Sequence, residues 1–503
     1  MSHSKPLAAL LLTLTAITMA HGAEPPGSRP AVESKMDQRL ARLRKSPLEL
    51  YDFLYRMPKG ADLHNHVSGA IYAEGFLRAA VDEHLCVIEA TLALTAPGAG
   101  GVCPTGQRSA VAIETDNNLR NALIDSFSMR NFVTGKQSGH DHFFATFDKF
   151  GAVDSGALIA EVAERAADQN ESYLELMALS GGGPIANLGK TVGLTGDFDA
   201  TRKKLEAAGL PQLVANMKTR IDQMEETRMT KLGCTQTPAP PACLLQVRYV
   251  FQVLREFPKE QTFAQVMGGF ALATLDPRVV GVNFVQAEDG YTSMTDYHLQ
   301  MTMVDYAKRI YPNVHVTLHA GELAPGLVAP DGLRFHIREA VELGHAERIG
   351  HGVDIMYEKE PQTLLAEMRD RHVAVEINLT SNDVILGVRG ADHPFPVYRK
   401  NDVPVMLSTD DEGVSRSQLT EEFQRAVLTY NLSYTDLKDL VRNSIEYSFA
   451  PGASYWKDHK YLAPATPCAG GEKTAACRNY LETNDKARLG ADLEDRFAAF
   501  ERN

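Results

Sequence analysis

The sequence predicts an α/β fold, namely a (β/α)8 TIM-like barrel with loop insertions and a C-terminal extension. Eight short apolar segments of β type recur along the chain, and several are continuously apolar, as expected for strands that are covered on both faces. Longer helical patterns separate these segments, which indicates parallel βαβ units. Eight such units over about 400 residues match a barrel of this kind, although periodicity alone leaves seven strands open.

Composition and charge limit the classes of function. The chain has 503 residues, of which 44% are hydrophobic and 23% charged, and this composition is typical of a globular protein. The net charge is −13 and there is no basic tract. An electrostatic contact with nucleic acid phosphates is therefore not expected.

The first 23 residues are predicted to be a signal peptide. Lys5 precedes the apolar segment "PLAALLLTLTAITMA", and small residues near positions 20–23 suit cleavage. The alternative is a buried first helix. The apolar segment has about 15 residues, which is short for a membrane span. We therefore expect export to the periplasm or the extracellular space, without membrane association after cleavage.

The mature chain is divided into three parts by its patterns. Residues 24–50 are predicted to be an N-terminal extension and helix, residues 51–450 the barrel, and residues 451–503 a C-terminal extension. The eight predicted strands are "ADLHNH", "SYLELMAL", "LLQVRYVFQV", "VVGVNFVQ", "HVTLHAGE", "ERIGHG", "VAVEINLTSN" and "VPVMLSTDD". Predicted helices include "GALIAEVAERAADQN", "TDYHLQMTMVDYAKRI", "GLRFHIREAVEL" and "EPQTLLAEMRDR".

Two insertions and six cysteines complete this organisation. Gly- and Pro-rich segments near residues 85–120 and 227–243 are predicted to be loops, and "LSGGGP" at 179–184 a flexible loop rather than a phosphate site. An even number of cysteines in an exported chain favours disulfides, although six cysteines allow 15 pairings. The pairs expected from proximity in the sequence are Cys86–Cys103, Cys234–Cys243 and Cys468–Cys477.

Polar side chains cluster at the carboxyl ends of four predicted strands, which form one rim in a barrel and carry the active sites of barrel enzymes. The residues concerned are His64, His66, His319, Glu322, His351, Asp410 and Asp411. Each motif alone has an ordinary explanation, such as a helix cap, a turn or an incidental pair of histidines. Their joint occurrence at strand ends favours a functional site.

The residue types suit one metal ion per chain. His64, His66, His319 and Asp410 would provide three imidazoles and one carboxylate, a set that fits Zn²⁺ better than Mg²⁺ or Ca²⁺. A water in the remaining position would have its pKa lowered toward 7. His351 could hold or accept a proton of that water, and Glu322 could donate a proton to the substrate.

These motifs resemble those of the adenosine deaminase family. The stretches that carry the resemblance are "MPKGADLHNHVSGA", "HAGE", "RIGHGVD", "LTSN" and "STDD", in this order, over residues 57–415, and "DHFFATFDKF" resembles a segment near the substrate entrance. The long loops, the cysteines and the signal peptide are more similar to the secreted, growth-factor-related branch than to the cytosolic enzymes.

The resemblance implies a zinc-dependent hydrolysis of adenosine or 2′-deoxyadenosine to the inosine product and ammonia, without an organic cofactor. Glu322 would protonate purine N1, and His351 would orient or deprotonate the water that attacks C6. Asp411 would form a hydrogen bond with purine N7. Ser381 is expected to support His351 or the water.

Two positions depart from the family pattern. Gln286 stands where the fourth-strand motif usually has a glycine, and Ser68, before Gly69, replaces a common Asp. Gln286, Ser68 and Gly69 are therefore candidate substrate-binding residues, and another 6-aminopurine or a modified adenosine is an alternative substrate.

Three further alternatives concern the class of protein and its assembly. A catalytically reduced binding or signalling homologue would be expected to lack at least one of the catalytic or metal-binding residues, all of which are present. A two-metal hydrolase usually has a bridging lysine or glutamate, and no Lys ends the fourth predicted strand. A homodimer is left open.

Overall fold

The computed structural model describes residues 31–133, 135 and 137–502. The predicted signal peptide, residues 1–23, lies outside the described residues, as do residues 24–30. No helix within the described part of the chain combines the length and the apolar character that crossing a membrane requires.

Eight parallel strands form the barrel, as the sequence predicts. They are β1 (Gly60–His66), β2 (Glu171–Ser180), β3 (Gln246–Leu254), β4 (Val279–Val285), β5 (His315–Ala320), β6 (Arg348–His351), β7 (Ala374–Ile377) and β8 (Val405–Leu407). Each strand pairs with the next one along the chain. Two backbone hydrogen bonds join β1 to the segment after β8, from His66 N to Asp410 O (3.1 Å) and from Asp410 N to His64 O (2.8 Å). The barrel therefore closes at the predicted metal ligands.

Helices connect successive strands, and most of them cover the outside of the barrel. Those from the first strand to the last are Val67–Ala70, Ala73–Asp82, Asn117–Ser126, Gly139–Phe150, Ile159–Asp168, Pro184–Val192, Phe198–Ala207, Leu210–Lys231, Lys259–Leu275, Tyr291–Thr295, Tyr297–Ile310, His336–Glu342, Pro361–Asp370, Leu379–Leu386 and Phe395–Lys400. Glu412–Ser415, Leu419–Tyr430 and Tyr434–Glu446 follow β8. Every residue of β1, β4, β6, β7 and β8 is buried, as expected for strands between two packed layers.

Some predicted boundaries were wrong in detail. The segment "VAVEINLTSN" forms a strand only over Ala374–Ile377, and "LTSN" begins the helix Leu379–Leu386. The predicted loop at 227–243 starts later, because the helix Leu210–Lys231 includes its first residues. The predicted helix "GLRFHIREAVEL" is reduced to His336–Glu342, after a 3-10 turn at Pro330–Leu333.

The insertion after β1 contains a small sheet that the sequence did not predict. Strands Cys86–Ile88, Ala93–Thr95 and Gln107–Ser109 pair antiparallel, with the first in the centre. All three expected disulfides are present, namely Cys86–Cys103, Cys234–Cys243 and Cys468–Cys477. Each disulfide closes a short surface segment.

The two extensions pack together against the barrel helices. The N-terminal segment forms two helices, Ala31–Leu43 and Pro47–Arg56, because proline at the start of the second favours a new first turn. The C-terminal segment forms a hairpin (Trp456–Lys457 with Lys460–Pro464) and the helices Ala475–Thr483 and Asp485–Arg502. Lys438 forms ion pairs with Glu33 (3.1 Å) and Glu501 (2.8 Å), and thereby links both extensions to the last barrel helix.

Candidate active site

The predicted metal ligands converge at the carboxyl end of the barrel. His64 and His66 lie on one face of β1, His319 near the end of β5, and Asp410 after β8, and all four side chains are buried. His319 Nε2 lies 3.1 Å from the Nε2 atoms of both His64 and His66. Asp410 Oδ1 lies 3.5 Å and 3.4 Å from those two nitrogens. A tetrahedral Zn²⁺ site has ligand atoms about 3.3 Å apart, so the spacing fits a metal ion.

The contacts of the Nδ1 atoms of the three histidines show that their Nε2 atoms, which face one another, carry lone pairs. His64 Nδ1 contacts the carboxylate of Glu376 (2.6 Å), His66 Nδ1 contacts Gln252 Oε1 (3.2 Å), and His319 Nδ1 contacts Asn283 Oδ1 (3.0 Å). Oxygen atoms accept, so each Nδ1 bears the proton and each Nε2 is free to bind a metal. Three lone pairs facing one another with a carboxylate would repel without a cation. The four side chains therefore form a group that could hold a divalent metal ion, here called the metal group.

A buried ion network continues from this group into the barrel. Arg348 donates to Glu376 Oε1 (2.5 Å) and to Glu175 Oε2 (2.5 Å), and all three side chains are fully buried. Although burial opposes ionisation, the charge of Arg348 and the hydrogen bond from His64 hold the pKa of Glu376 at about 2. Glu376 therefore remains an acceptor for His64.

Glu322 lies next to the metal group and is positioned by a second carboxylate. The backbone N–H groups of Gly321 and Glu322 donate to Glu288 (2.9 and 2.7 Å), which also contacts His336 Nδ1 (2.5 Å). Burial, followed by the nearby charge of Asp410, raises the pKa of Glu322 well above its usual range. A carboxyl group that retains its proton in this place can act as a proton donor.

His351 ends β6 in a left-handed conformation (φ +70°) beside both acidic groups. Its Nε2 lies 3.7 Å from Asp410 Oδ2, and its Nδ1 lies 3.7 Å from Glu322 Oε1 and 2.9 Å from Asn382 Nδ2. The contact with His351 that the sequence assigned to Ser381 is made by the neighbouring Asn382, and the buried hydroxyl of Ser381 contacts no hydrogen-bond partner among the described residues. Support of the water by Ser381 stays a prediction.

Asp411, Ser68 and Gly69 lie together on the β1 side of the site. Asp411 and Ser68 line the cavity next to the metal group, and Asp411 Oδ1 is buried without a partner among the described residues. A Cβ atom at position 69 would lie 1.6 Å from Asp411 Oδ1. The close approach of the chain after β1 to Asp411 therefore requires glycine at position 69.

Gln286 adopts the left-handed conformation that favours glycine (φ +84°). It follows β4 directly, lines the cavity, and its Oε1 accepts a hydrogen bond from the backbone N–H of Glu256 (3.0 Å). A strained non-glycine residue that is fixed by a neighbouring loop at a cavity wall is typical of functional sites.

A cavity of about 560 Å³ opens above these residues. An apolar wall is formed by Phe143, Phe144, Phe147, Leu254, Val285 and Ile385. Three carboxylates, Asp141, Asp148 and Glu256, lie among the other lining residues, and none of the described lining residues is Lys or Arg. Size and lining fit a small, flat, uncharged molecule.

One side of the cavity is formed by the helix Gly139–Phe150, here called the rim helix. Phe143, Phe144 and Phe147, three of its four phenylalanines, provide half of the apolar wall. His140, at its start, contacts Asp289 Oδ1 through Nε2 (2.9 Å) and Asp141 Oδ1 through Nδ1 (3.1 Å). The rim helix is thereby tied to the loop that follows β4.

Sequence reasoning missed the residues that orient the predicted metal ligands, Glu322 and His351. These are Glu376, Asn283, Gln252, Glu288 and Asn382. A signal was present for two of them, because Glu376 and Asn283 are polar residues inside otherwise apolar strands. Such residues are expected to have buried polar partners, although the sequence does not show which ones.

The family model described as "Adenosine deaminase" matches residues 205–457, half of the chain. The matched region contains His319, Glu322, His351 and Asp410, whereas His64 and His66 precede it. Among similar proteins, an adenosine deaminase of Clostridium perfringens is 40% identical over 135 residues, which are 27% of this chain and 37% of the relative. One of Clostridium kluyveri is 28% identical over 231 residues, 46% of this chain and 60% of the relative. The chain thus spans only part of the length of these curated relatives.

Solved structures share the fold. The adenine deaminase of Arthrobacter aurescens has a TM-score of 0.51 at 16% identity, covering 87% of this chain and 98% of its own. Arabidopsis ADAL, solved in complex with IMP, has a TM-score of 0.53 at 20% identity, with 89% and 99% covered. At these identities the likeness shows the barrel architecture alone. The match of the family model to half of the sequence shows more, namely that the chain belongs to the adenosine deaminase family.

Proposed function

We propose that the protein is a zinc-dependent aminohydrolase that converts adenosine and 2′-deoxyadenosine to inosine and 2′-deoxyinosine, with release of ammonia. One observation carries the proposal. The group that could hold a metal ion, Glu322 and Asp411 lie at one cavity with room for a purine nucleoside, and His351 lies beside Glu322 and Asp410. Family membership supports the same reaction class.

The metal would be held by His64, His66, His319 and Asp410. Three imidazole nitrogens and one carboxylate oxygen favour zinc over Mg²⁺ and Ca²⁺, which prefer oxygen ligands. When bound, zinc supplies a Lewis acid that lowers the pKa of water and makes a nucleophile available near neutral pH.

Three other side chains would act on the purine and the water. Glu322 donates its proton to N1, which makes C6 more electrophilic. His351 orients the water that adds to C6, and Asp411 donates a hydrogen bond to N7, which can only accept. The C6–N bond then breaks and the oxygen of the water stays on C6. One proton of the water passes to the amino group, which leaves as ammonia, and the other proton restores the carboxyl group of Glu322.

The charge of the cavity favours a nucleoside over a nucleotide. Asp141, Asp148 and Glu256 lie in its lining, and a phosphate group there would be repelled. We therefore expect AMP to be a poor substrate.

A second candidate within the same chemistry is a modified adenosine or another 6-aminopurine. Gln286 supports it, because its side chain stands at the cavity wall where a glycine would leave space. Ser68 supports it as well, since a hydroxyl group replaces the carboxylate that the family resemblance would lead one to expect.

A panel of adenosine, 2′-deoxyadenosine, adenine, N6-methyladenosine and AMP tests these proposals on purified protein with its metal content measured. We expect turnover of the two adenosines, little turnover of AMP, and one zinc per chain. Turnover of another compound of the panel, with no turnover of adenosine, would favour the second candidate. A second trio, Glu322, His351 and Asp410, also has metal-binding spacing, so two ions per chain would favour a two-metal hydrolase instead.

We further propose that the protein is exported. The three disulfides support this, because such bonds persist in oxidising compartments. Fractionation of the producing cell with N-terminal sequencing tests it. A reduced protein that is retained in the cytosol with its first 23 residues would contradict the proposal.

A further inference from the structure

A chain of hydrogen bonds approaches His351 from the side away from the metal group. Asn382 Nδ2 lies 2.9 Å from His351 Nδ1, and His393 Nε2 lies 2.9 Å from Asn382 Oδ1. The backbone N–H of Phe395 donates to His393 Nδ1 (3.1 Å). All three side chains in this relay are buried.

The direction of every hydrogen bond in the relay follows from the backbone N–H of Phe395. A backbone N–H only donates, so His393 Nδ1 accepts, and neutral His393 carries its proton on Nε2. That proton is donated to Asn382 Oδ1, and the amide group of Asn382 therefore turns its N–H toward His351. Burial, with the charge of Arg425 adding to it, lowers the pKa of His393 to about 4, and so the ring stays neutral.

His351 consequently accepts at Nδ1. A second amide, Asn378 Nδ2, lies 3.5 Å from the same nitrogen and is also a donor. A proton on His351 Nδ1 would point at the protons of these two N–H donors and would be repelled by them. The neutral ring thus carries its proton on Nε2, the nitrogen that faces Asp410 Oδ2 at 3.7 Å.

We propose that His393 is a positioning residue that sets the tautomer of His351 through Asn382. The reaction centre is thereby given a hydrogen-bond donor at His351 Nε2. This inference rests on the proposed function, and it decides between the two roles that the family resemblance leaves open. His351 in its resting form orients the attacking water by donating to it, and it does not begin the reaction as a base.

Three variants separate this role from a structural one. His393→Phe keeps a ring but removes the donor, whereas His393→Gln can place an amide N–H near the position of Nε2. Asn382→Asp keeps the shape of Asn382 and replaces its donor by an acceptor, which should pull the proton of His351 onto Nδ1. Each variant is purified in the metal-loaded form, and its zinc content and Tm are measured to show that site and fold are intact.

The first readout is ¹⁵N NMR of histidine-labelled protein, with the His351 signals assigned by their loss in His351→Gln. We expect a proton on Nε2 in the wild type, on Nδ1 in Asn382→Asp, and mixed tautomers in His393→Phe. This readout needs no turnover, so it remains decisive even if no purine is a substrate. A wild-type proton on Nδ1, or an unchanged tautomer in both variants, would overturn the proposal.

The second readout is the separation of kcat from KM. For His393→Phe we expect kcat to fall by at least about tenfold with KM changed by less than about threefold, because proton placement acts on the reaction step. His393→Gln should recover most of kcat. Equal losses in the Phe and Gln variants, with the wild-type tautomer kept in both, would show that His393 only fills space.

Discussion

At the scale of single residues, Asn283 shows how a neighbouring side chain orients a predicted metal ligand. Its Oδ1 accepts from both the backbone N–H and the ring Nδ1 of His319, each at 3.0 Å. The backbone donor fixes the orientation of the amide, and the amide in turn fixes the tautomer of His319.

Replacement of Asn283 should therefore weaken metal binding without removing a ligand. We expect Asn283→Ala to raise the Kd for zinc by about 10–100-fold, measured by competition with a chromophoric chelator. Asn283→Asp retains the acceptor and should bind zinc close to the wild-type level. Wild-type affinity in Asn283→Ala would contradict the orienting role.

Glu322 is expected to be needed for the reaction but not for the metal. Glu322→Gln keeps the shape of the side chain and removes its acidic proton, so kcat should fall by at least about 10²-fold while zinc content stays at the wild-type level. His319→Ala is the contrasting variant and should lose the metal itself. Near-full kcat in Glu322→Gln would show that another group donates the proton.

Gly69 provides a steric test of the contact between β1 and Asp411. An alanine at 69 would place Cβ 1.6 Å from Asp411 Oδ1, so Gly69→Ala should displace Asp411 and lower kcat/KM by about tenfold or more. Gly196→Ala is a matched control, because Gly196 is exposed and no atom lies within 4 Å of a Cβ at that position. Equal kinetics in both variants would indicate that Asp411 does not touch the substrate.

At the scale of elements, the rim helix is the part of the cavity that does not belong to the barrel. It contributes three aromatic side chains, and its first turn is joined to the barrel by the pair of His140 and Asp289. The hydrogen bond to Asp289 raises the pKa of His140 above its usual 6.5, while partial burial opposes this shift. The ion pair of His140 and Asp289 is therefore fully charged below pH 6.5 and is lost as the pH rises through the raised pKa of His140.

Substrate affinity should follow this titration. As pH rises above 6.5, we expect KM for adenosine to increase by about two- to fivefold, the range of a partly exposed ion pair. His140→Gln and Asp289→Asn should both abolish the pH dependence that is specific to KM. If both variants keep the pH dependence of KM that the wild type shows, the ion pair has no part in substrate binding.

At the scale of the whole molecule, stability and activity are carried by different parts of the chain. The disulfides close segments with sequence separations of 17, 9 and 9 residues, and none of their cysteines lines the cavity. The site instead depends on the closed barrel and on its buried ion network.

Reduction should thus lower stability but leave turnover intact. Each short loop contributes about 2–3 kcal/mol, so we expect Tm to fall by about 5–10 °C when all three disulfides are reduced. Calorimetry with and without a phosphine reductant measures this effect, and kcat at room temperature should be unchanged. A loss of kcat with the fold intact would show that a disulfide supports the site.

The sequence by itself predicted the barrel, the disulfide pairs and the residues of the group that could hold a metal ion. It could do so because strand periodicity is local, and because histidines and carboxylates at strand ends must meet wherever eight parallel strands close. His64, His66, His319 and Asp410 are brought together by topology alone, without any detail of packing.

Only the tertiary structure decided which residues orient that group and His351. Glu376, Asn283 and Asn382 lie on other strands or helices than the histidines they contact, and hydrogen-bond partners across a barrel leave no spacing in the sequence. The same holds for the contact of His351 with Asn382 and not with Ser381. The helix that begins at Leu379 sets which of these two adjacent side chains faces His351. Directional contacts depend on rotation about an element's axis, and packing fixes that rotation.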